Sequence, residues 1–317
     1  MCGHVGVYGK LPSTDNKKLM AFMLLLDSTR GTDGTGIYSL GEVNKVVGNV
    51  YNLIESRQWE KDVHESNLMI GHNRASSVGK NSTRNSHPFR FGKIIGAHNG
   101  TLQKYLLKDS NDFDVDSECL YHNIEKYGIK ETAKNMSGSW SLVWYDEGEQ
   151  VLRFLRNKER PMWIAHISET KENATTKVKT THKAILWASE YWMLEAAENK
   201  YPFVIDEVYE TEEDMLYEWM LDKGEPLLMN KEKLIGRLPL QTYYPTAYYG
   251  GKKRYKQYKS YRNGKEVKRP VYKCEFCFEE YDDPNEIEYG YNVMKNGKQE
   301  RVYLCKNCAH DYNYMMY

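Results

Sequence analysis

The chain opens Met1-Cys2-Gly3-His4-Val5-Gly6-Val7-Tyr8-Gly9, and the fold turns on how this stretch is read. Removal of the initiator Met makes Cys2 the N-terminal residue, and its small side chain permits that trimming. One residue then carries both a thiol nucleophile and a free α-amine. An unperturbed α-amine has a pKa of about 7.7–8.0, close enough to neutrality to act as base for its own thiol. Val5-Gly6-Val7-Tyr8 reads as a short apolar strand that anchors the nucleophile in a sheet. A cysteine at position 2 is common enough by chance, so its meaning depends on partners elsewhere.

Moving outward, residues 16–29 place Leu19, Phe22, Met23 and Leu26 at helical spacing, with Asn16 available as a cap. Arg30-Gly31-Thr32-Asp33-Gly34-Thr35-Gly36 reads as a tight turn before a strand at 37–40. Its glycines lack the spacing and the Lys-Ser/Thr of a phosphate loop. Leu68 to Arg74 reads as a buried strand entering a polar loop, Ala75 to His87. Lys93 to Gly100 is a second strand, and Asn99-Gly100 carries the signature of a hairpin turn. A helix is expected over 114–126, with acids in its first turn. Strands follow at 141–145, 151–156, 162–167 and 183–188, with 169–182 as a surface loop. Ser189-Glu190 is expected to cap a helix running to Asn199, and 206–225 to form an acidic solvent-facing helix.

Four polar elements thus stand at the ends of strands and helices: Cys2, Arg74, Asn99-Gly100 and Asp116. They match what a free amino acid with a side-chain amide requires. Its carboxylate asks for an arginine and its ammonium for a carboxylate. Its amide carbon asks for a thiolate, and the tetrahedral oxyanion for an Asn amide and a backbone N–H.

In this set the chain resembles the class II glutamine amidotransferases, whose glutaminase domain belongs to the N-terminal-nucleophile hydrolases. The matching segments, in family order, are Cys2-Gly3-His4-Val5-Gly6, Arg30 to Gly36, Gly71-His72-Asn73-Arg74 through Gly79, His98-Asn99-Gly100 and Asp116-Ser117-Glu118. Gly138-Ser139-Trp140-Ser141 and Leu186 to Glu190 follow more weakly. The nearest flavours are the phosphoribosyl-diphosphate and fructose-6-phosphate amidotransferases. The resemblance implies an α+β fold, a four-layer αββα sandwich with helices outside two facing antiparallel sheets. It implies Cys2 as nucleophile, Asn99 and Gly100 as oxyanion hole, and a glutamine site drawn from Arg30, Arg74, Ser77, Val78 and Asp116. Ala75 stands where the family usually has an aromatic residue, and Ser77 where it has Thr.

The 317 residues suggest roughly two domains. Net charge is zero, yet 252–273 holds ten basic residues against Glu266 alone, interleaved with Tyr255, Tyr258 and Tyr261. Basic charge with aromatic interleaving suits single-stranded nucleic acid. A solvated linker, or a strand pair with lysines facing water, fits the same composition. Cys274-x-x-Cys277 and Cys305-x-x-Cys308 then flank 27 residues. Four thiolates at this spacing point to a structural Zn²⁺ ribbon, with a hairpin through Asn296-Gly297 between the pairs. The expected layout is a glutaminase domain over 2–235, a basic Tyr-rich linker over 236–272 and the Cys₄ ribbon over 273–317. Cysteine pairs of this kind, no signal peptide and no apolar run near the ~20 residues of a membrane span point to the cytoplasm.

The family's usual ammonia-consuming domain has no counterpart in this length. The expected function is a glutaminase subunit feeding ammonia to an acceptor on a partner synthase or transferase, or on a nucleic-acid substrate. Two other readings stand beside it: a retired amidotransferase fold serving as a zinc-ribbon adaptor, and N-terminal-nucleophile chemistry on another amide.

Overall fold

The computed structural model describes residues 2–77, 79–173 and 175–234, and the backbone of the strands at 260–262, 265–267, 272–273, 280–281, 287–295 and 298–305. Contacts divide the chain into two units, Met1–Gln241 and Thr242–Tyr317.

The first unit runs β1 (Gly3–Gly9), α1 (Asn16–Asp27), β2 (Gly34–Ser39), β3 (Glu42–Val47), short helices α2 (Tyr51–Ile54) and α3 (Arg57–Asp62), then β4 (Leu68–Arg74), β5 (Phe89–Phe91) and β6 (Ile94–Leu102). Next come α4 (Asp116–Tyr127), α5 (Ile129–Ala133), β7 (Gly138–Asp146), β8 (Val151–Arg156), β9 (Trp163–Glu172), β10 (Lys179–Ala188) and α6 (Tyr191–Lys200). Three strands close it: β11 (Val204–Glu210), β12 (Met215–Asp222) and β13 (Glu225–Lys233). They form a seven-stranded sheet, β11-β9-β10-β1-β4-β2-β3, and a six-stranded sheet, β13-β12-β8-β7-β6-β5. Every pairing is antiparallel.

Strand alternation builds the layers. On β1, Tyr8 faces the second sheet, joining Ile70, Ile95, Ala97, Val143, Phe154 and Trp187 in an apolar layer between the sheets. Gly71 of β4 faces α1, where a Cβ would fall 2.8 Å from Leu24. On the far side, α4 packs Leu120 and Tyr121 against Trp144 and Leu142 of the second sheet. The expected four layers, helices outside two antiparallel sheets, are present. Among the described residues no helix is long and apolar enough to cross a membrane.

Several local expectations are corrected. Asp15, one residue before the expected Asn16, caps α1 by accepting from Lys18 N–H. Asn16 is buried and instead donates to the carbonyls of Gly9 (3.0 Å) and Ser66 (2.8 Å). Half of the glycine-rich turn is strand, because Gly36 in β2 passes where a Cβ would meet the His87 carbonyl at 2.0 Å. Of the loop expected over 169–182, residues 169–172 and 179–182 are instead the paired continuation of β9 and β10, which suits the threonines there. The helix expected over 206–225 is three strands. Its apolar spacing fits both periods, and the deciding signal is the two-residue turn Lys223-Gly224, both with positive φ (51° and 87°), which joins β12 to β13.

In the second unit Ser260–Arg262 pairs with Lys265–Val267, so part of the basic stretch is a strand pair. Tyr272–Lys273 pairs with Glu280–Tyr281, and Ile287–Lys295 with Lys298–Cys305, the hairpin expected around Asn296-Gly297. Cys274, Cys277 and Cys308 lie outside the described residues, and of Cys305 only the backbone is described.

Candidate functional site

The layer between the sheets is apolar along most of its length and polar at one end. The change follows the strands inward by twos. On β1, Tyr8 gives way to His4; on β4, Ile70 gives way to His72 and Arg74. On β6, Ala97 gives way to Asn99, and on β7, Val143 gives way to Ser141. His4 and His72 are direct cross-strand partners. All five of these polar residues are buried.

Cys2 sits at the head of β1 beside this polar end. Its Sγ lies against one backbone residue, 3.2 Å from the Ala75 carbonyl and 3.3 Å from the Ala75 N–H. Burial pushes the thiol above its ordinary range, while the Ala75 N–H pulls the other way.

A narrow cleft opens at the sulfur, lined by Cys2, Arg74, Ser77, Gly100, Asp116 and His98 among others. These residues come from β1, β4 and its following loop, β6 and the start of α4. Arg74 Nη1 reaches back to the Lys80 carbonyl (3.2 Å) and Asn81 Oδ1 (3.3 Å), which ties the loop to the strand end. Asp116 begins α4 and accepts from Leu102 N–H at 2.7 Å. Ser77 Oγ is 3.3 Å from Thr101 Oγ1, bridging the loop to β6.

Asn99-Gly100 is strand interior, paired with Ser141 and Trp140, and makes no hairpin turn. Gly100 has φ +148°, and a Cβ there would lie 2.0 Å from the Ser139 carbonyl. Glycine is therefore required where the backbone bends toward the cleft. Asn99 Nδ2 is 3.4 Å from Ser189 Oγ, and its Oδ1 has no partner among the described residues. Ser189, expected as part of a helix cap, accepts from His4 N–H at 2.9 Å and so fastens β1 to the end of β10.

Arg30 is not among the residues lining the cleft. It donates Nε–H to the Cys2 carbonyl at 3.0 Å and forms an ion pair with Glu190. Val78 lies outside the described residues.

Sequence reasoning passed over the histidines. His4, His72, His87 and His98 are all buried, and His72 and His87 stack with ring centroids 3.9 Å apart. His72 Nε2 donates to the His98 carbonyl (3.2 Å), His98 Nδ1 meets Ser117 Oγ (2.9 Å), and His4 Nε2 meets Ser141 Oγ (2.9 Å). Burial holds His4 down to about 3 and depresses His72, His87 and His98, the last against the pull of Asp116. The rings are neutral at physiological pH. Alternation from Tyr8 and Ile70 was the signal that could have placed His4 and His72 inside. Among the described residues no group of histidines, cysteines and acids is arranged to hold a metal ion.

No protein-family model matches the chain. It is 28% identical over 195 residues to the glutamine–fructose-6-phosphate aminotransferase of Methanosarcina mazei, an alignment covering 52% of this chain and 31% of that one. It is 28% identical over 167 residues to the amidophosphoribosyltransferase of Methanothermobacter thermautotrophicus, covering 45% and 35%. The N-terminal unit is homologous to the class II glutamine amidotransferases. The fold agrees. A glutamine phosphoribosylpyrophosphate amidotransferase from B. subtilis superposes with TM-score 0.54 at 20% identity, over 75% of this chain and 50% of that one. The chain spans about a third of the length of these curated amidotransferases.

Proposed function

We propose that the N-terminal unit is a glutaminase that supplies ammonia to an acceptor held outside it. The observation that carries this is the narrow cleft at the Cys2 sulfur, into which four elements bring Arg74, Ser77, Gly100 and Asp116. Glutamine in the name of the homologous Methanosarcina mazei enzyme supports it.

With Met1 removed, the Cys2 thiol passes its proton to its own α-amine and the sulfur attacks the side-chain amide carbon. The oxyanion that forms takes hydrogen bonds from the Asn99 amide and the Gly100 N–H. The C–N bond then breaks, the departing nitrogen takes the proton, and ammonia leaves a γ-glutamyl thioester. Water adds to the thioester, releasing glutamate and the thiol. Arg74 receives the substrate carboxylate and Asp116 its ammonium, with Ser77 beside them; Val78, proposed with this set, lies outside the described residues. Arg30 serves by fixing the Cys2 carbonyl, and so the direction of the sulfur.

The second unit is proposed as a structural zinc ribbon. Cys274 directly follows the strand Tyr272–Lys273, which lies against Lys298–Cys305, the strand that ends in the second cysteine pair. Bringing these two strands together suits four thiolates closing on one tetrahedral ion. The acceptor is a small molecule on a partner synthase or transferase, or a nucleic acid met by the basic 252–273 stretch.

Ammonia release from L-glutamine by the full chain tests the reading, with L-asparagine as control. Cys2→Ala is expected to lose activity completely with an unchanged melting temperature. Equal release by wild type and Cys2→Ala sinks the assignment, and preference for asparagine redirects it to another amide. Chelation is expected to release zinc while sparing glutamine hydrolysis; purified protein without zinc removes the ribbon.

A further inference from the structure

Asp27 ends α1 and is completely buried, at 0% exposure. Its Oδ2 accepts from Asn73 Nδ2 at 3.0 Å, and Asn73 is held in turn by Thr35 Oγ1 at 2.8 Å. Its Oδ1 has no partner among the described residues. That oxygen lies on the backbone directly after the nucleophile: a Cβ built on Gly3 would fall 1.9 Å from it and 2.8 Å from Arg30 Cδ. Arg30 runs past the same point to donate to the Cys2 carbonyl and pair with Glu190. Two carboxyls and one guanidinium therefore stand along the back of β1, one peptide from the sulfur.

A buried helix end directly after Leu24 and Leu26, themselves buried, is served by an apolar residue. A carboxyl there loses its hydration and regains only part of it from Asn73. What it touches is the support of the nucleophile. We propose that Asp27 is a positioning residue which, through Arg30 and the Gly3 backbone, holds Cys2 in place and governs how readily its thiol ionises. This rests on the glutaminase reading for its catalytic consequence, whereas its effect on the thiol is measurable without substrate.

The charges facing Asp27 are Arg30 from the turn after α1, Glu190 from the start of α6 and Cys2 from β1, with the Asn73 amide from β4. Burial raises the Asp27 carboxyl to about 7, against the pull of Arg30 and Asn73 and with the push of Glu190. Below neutrality it is a neutral packing group. Above neutrality its negative charge opposes thiolate at Cys2.

The test is the pH dependence of Cys2 alkylation by iodoacetamide, read by mass on the N-terminal peptide so that other cysteines do not interfere. In full-length Asp27→Asn the midpoint is expected to fall by about half a pH unit or more, raising the rate at pH 7 about threefold. Superimposable profiles overturn the proposal. Side-chain carboxyl ¹³C NMR of the wild type needs no variant: Asp27 is expected to titrate near neutrality, and titration in the ordinary carboxylate range overturns the proposal equally. Failure of the glutaminase reading shows separately, as wild-type protein that releases no ammonia while the alkylation shift stands.

Discussion

The two ends of the layer between the sheets are built from the same strands and do opposite work. At one end Tyr8, Ile70, Ile95 and Val143 meet Phe154 and Trp187, and water is excluded by size and apolarity. At the other, His4, His72, Asn99, Ser141 and Arg74 fill equivalent positions with polar groups that are just as buried. The apolar end is stabilised by removing carbon from water. The polar end forgoes much of that and leaves nitrogens of His4, His72 and His87 without hydrogen-bond partners among the described residues. What the difference teaches is that the stable half of the sandwich holds a costly half in place, and that Cys2 sits on the costly one.

Truncation at the apolar end is the largest expected way to sharpen the contrast. Phe154 is fully buried and meets Trp187 edge-on at 5.2 Å, so Phe154→Ala is expected to cost about 3–5 kcal/mol in urea unfolding. At concentrations where the variant is folded, its glutamine KM should be unchanged; a strongly altered KM would show that the two ends are not separable.

At the polar end, Asn99→Ala is expected to lower kcat for glutamine hydrolysis on the order of 10²–10³, as removal of one oxyanion donor does, with little change in melting temperature. Undiminished turnover would take Asn99 out of the mechanism.

The smallest effect per group is that of pH on stability. A histidine held neutral by burial binds no proton in the folded state, while its unfolded counterpart does so below about 6.5. Its contribution is therefore intact above 6.5 and is lost as pH falls toward the folded value, which is about 3 for His4. The loss is roughly 1.4 kcal/mol for each pH unit and each such ring. Asp27 opposes this, because its raised carboxyl contributes most below its unfolded value and loses that contribution as pH rises through about 7. At the polar end four depressed histidines outnumber the raised carboxyls of Asp27 and Glu190 and leave a net loss on acidification. Urea midpoints at pH 7.5 and 5.0 measure it, and equal midpoints would mean the polar end is not dry.

The sequence by itself determined β1, α1, β4 and the start of α4, and singled out four residues that line one cleft, Cys2, Arg74, Gly100 and Asp116. They were legible because each stands at the polar end of a periodic apolar run. The strand 68–74 and the helix start at Asp116 were legible for the same reason: burial on one or both faces imprints a period on the chain. What the tertiary structure decided was everything that depends on partners distant in sequence. Asn99-Gly100 carries a turn signature, yet pairing with β7 keeps it extended and turns Gly100 toward the cleft. Arg30 and Ser189 look like a substrate contact and a helix cap, yet both fasten the first residues of β1. Asp27 could not be singled out at all, because its significance comes from Gly3, Asn73 and Arg30, which only the packing of α1 on β1 and β4 brings within reach. Periodicity is a local record of burial, whereas a buried polar group is defined by what satisfies it, and that is settled only when the sheets close.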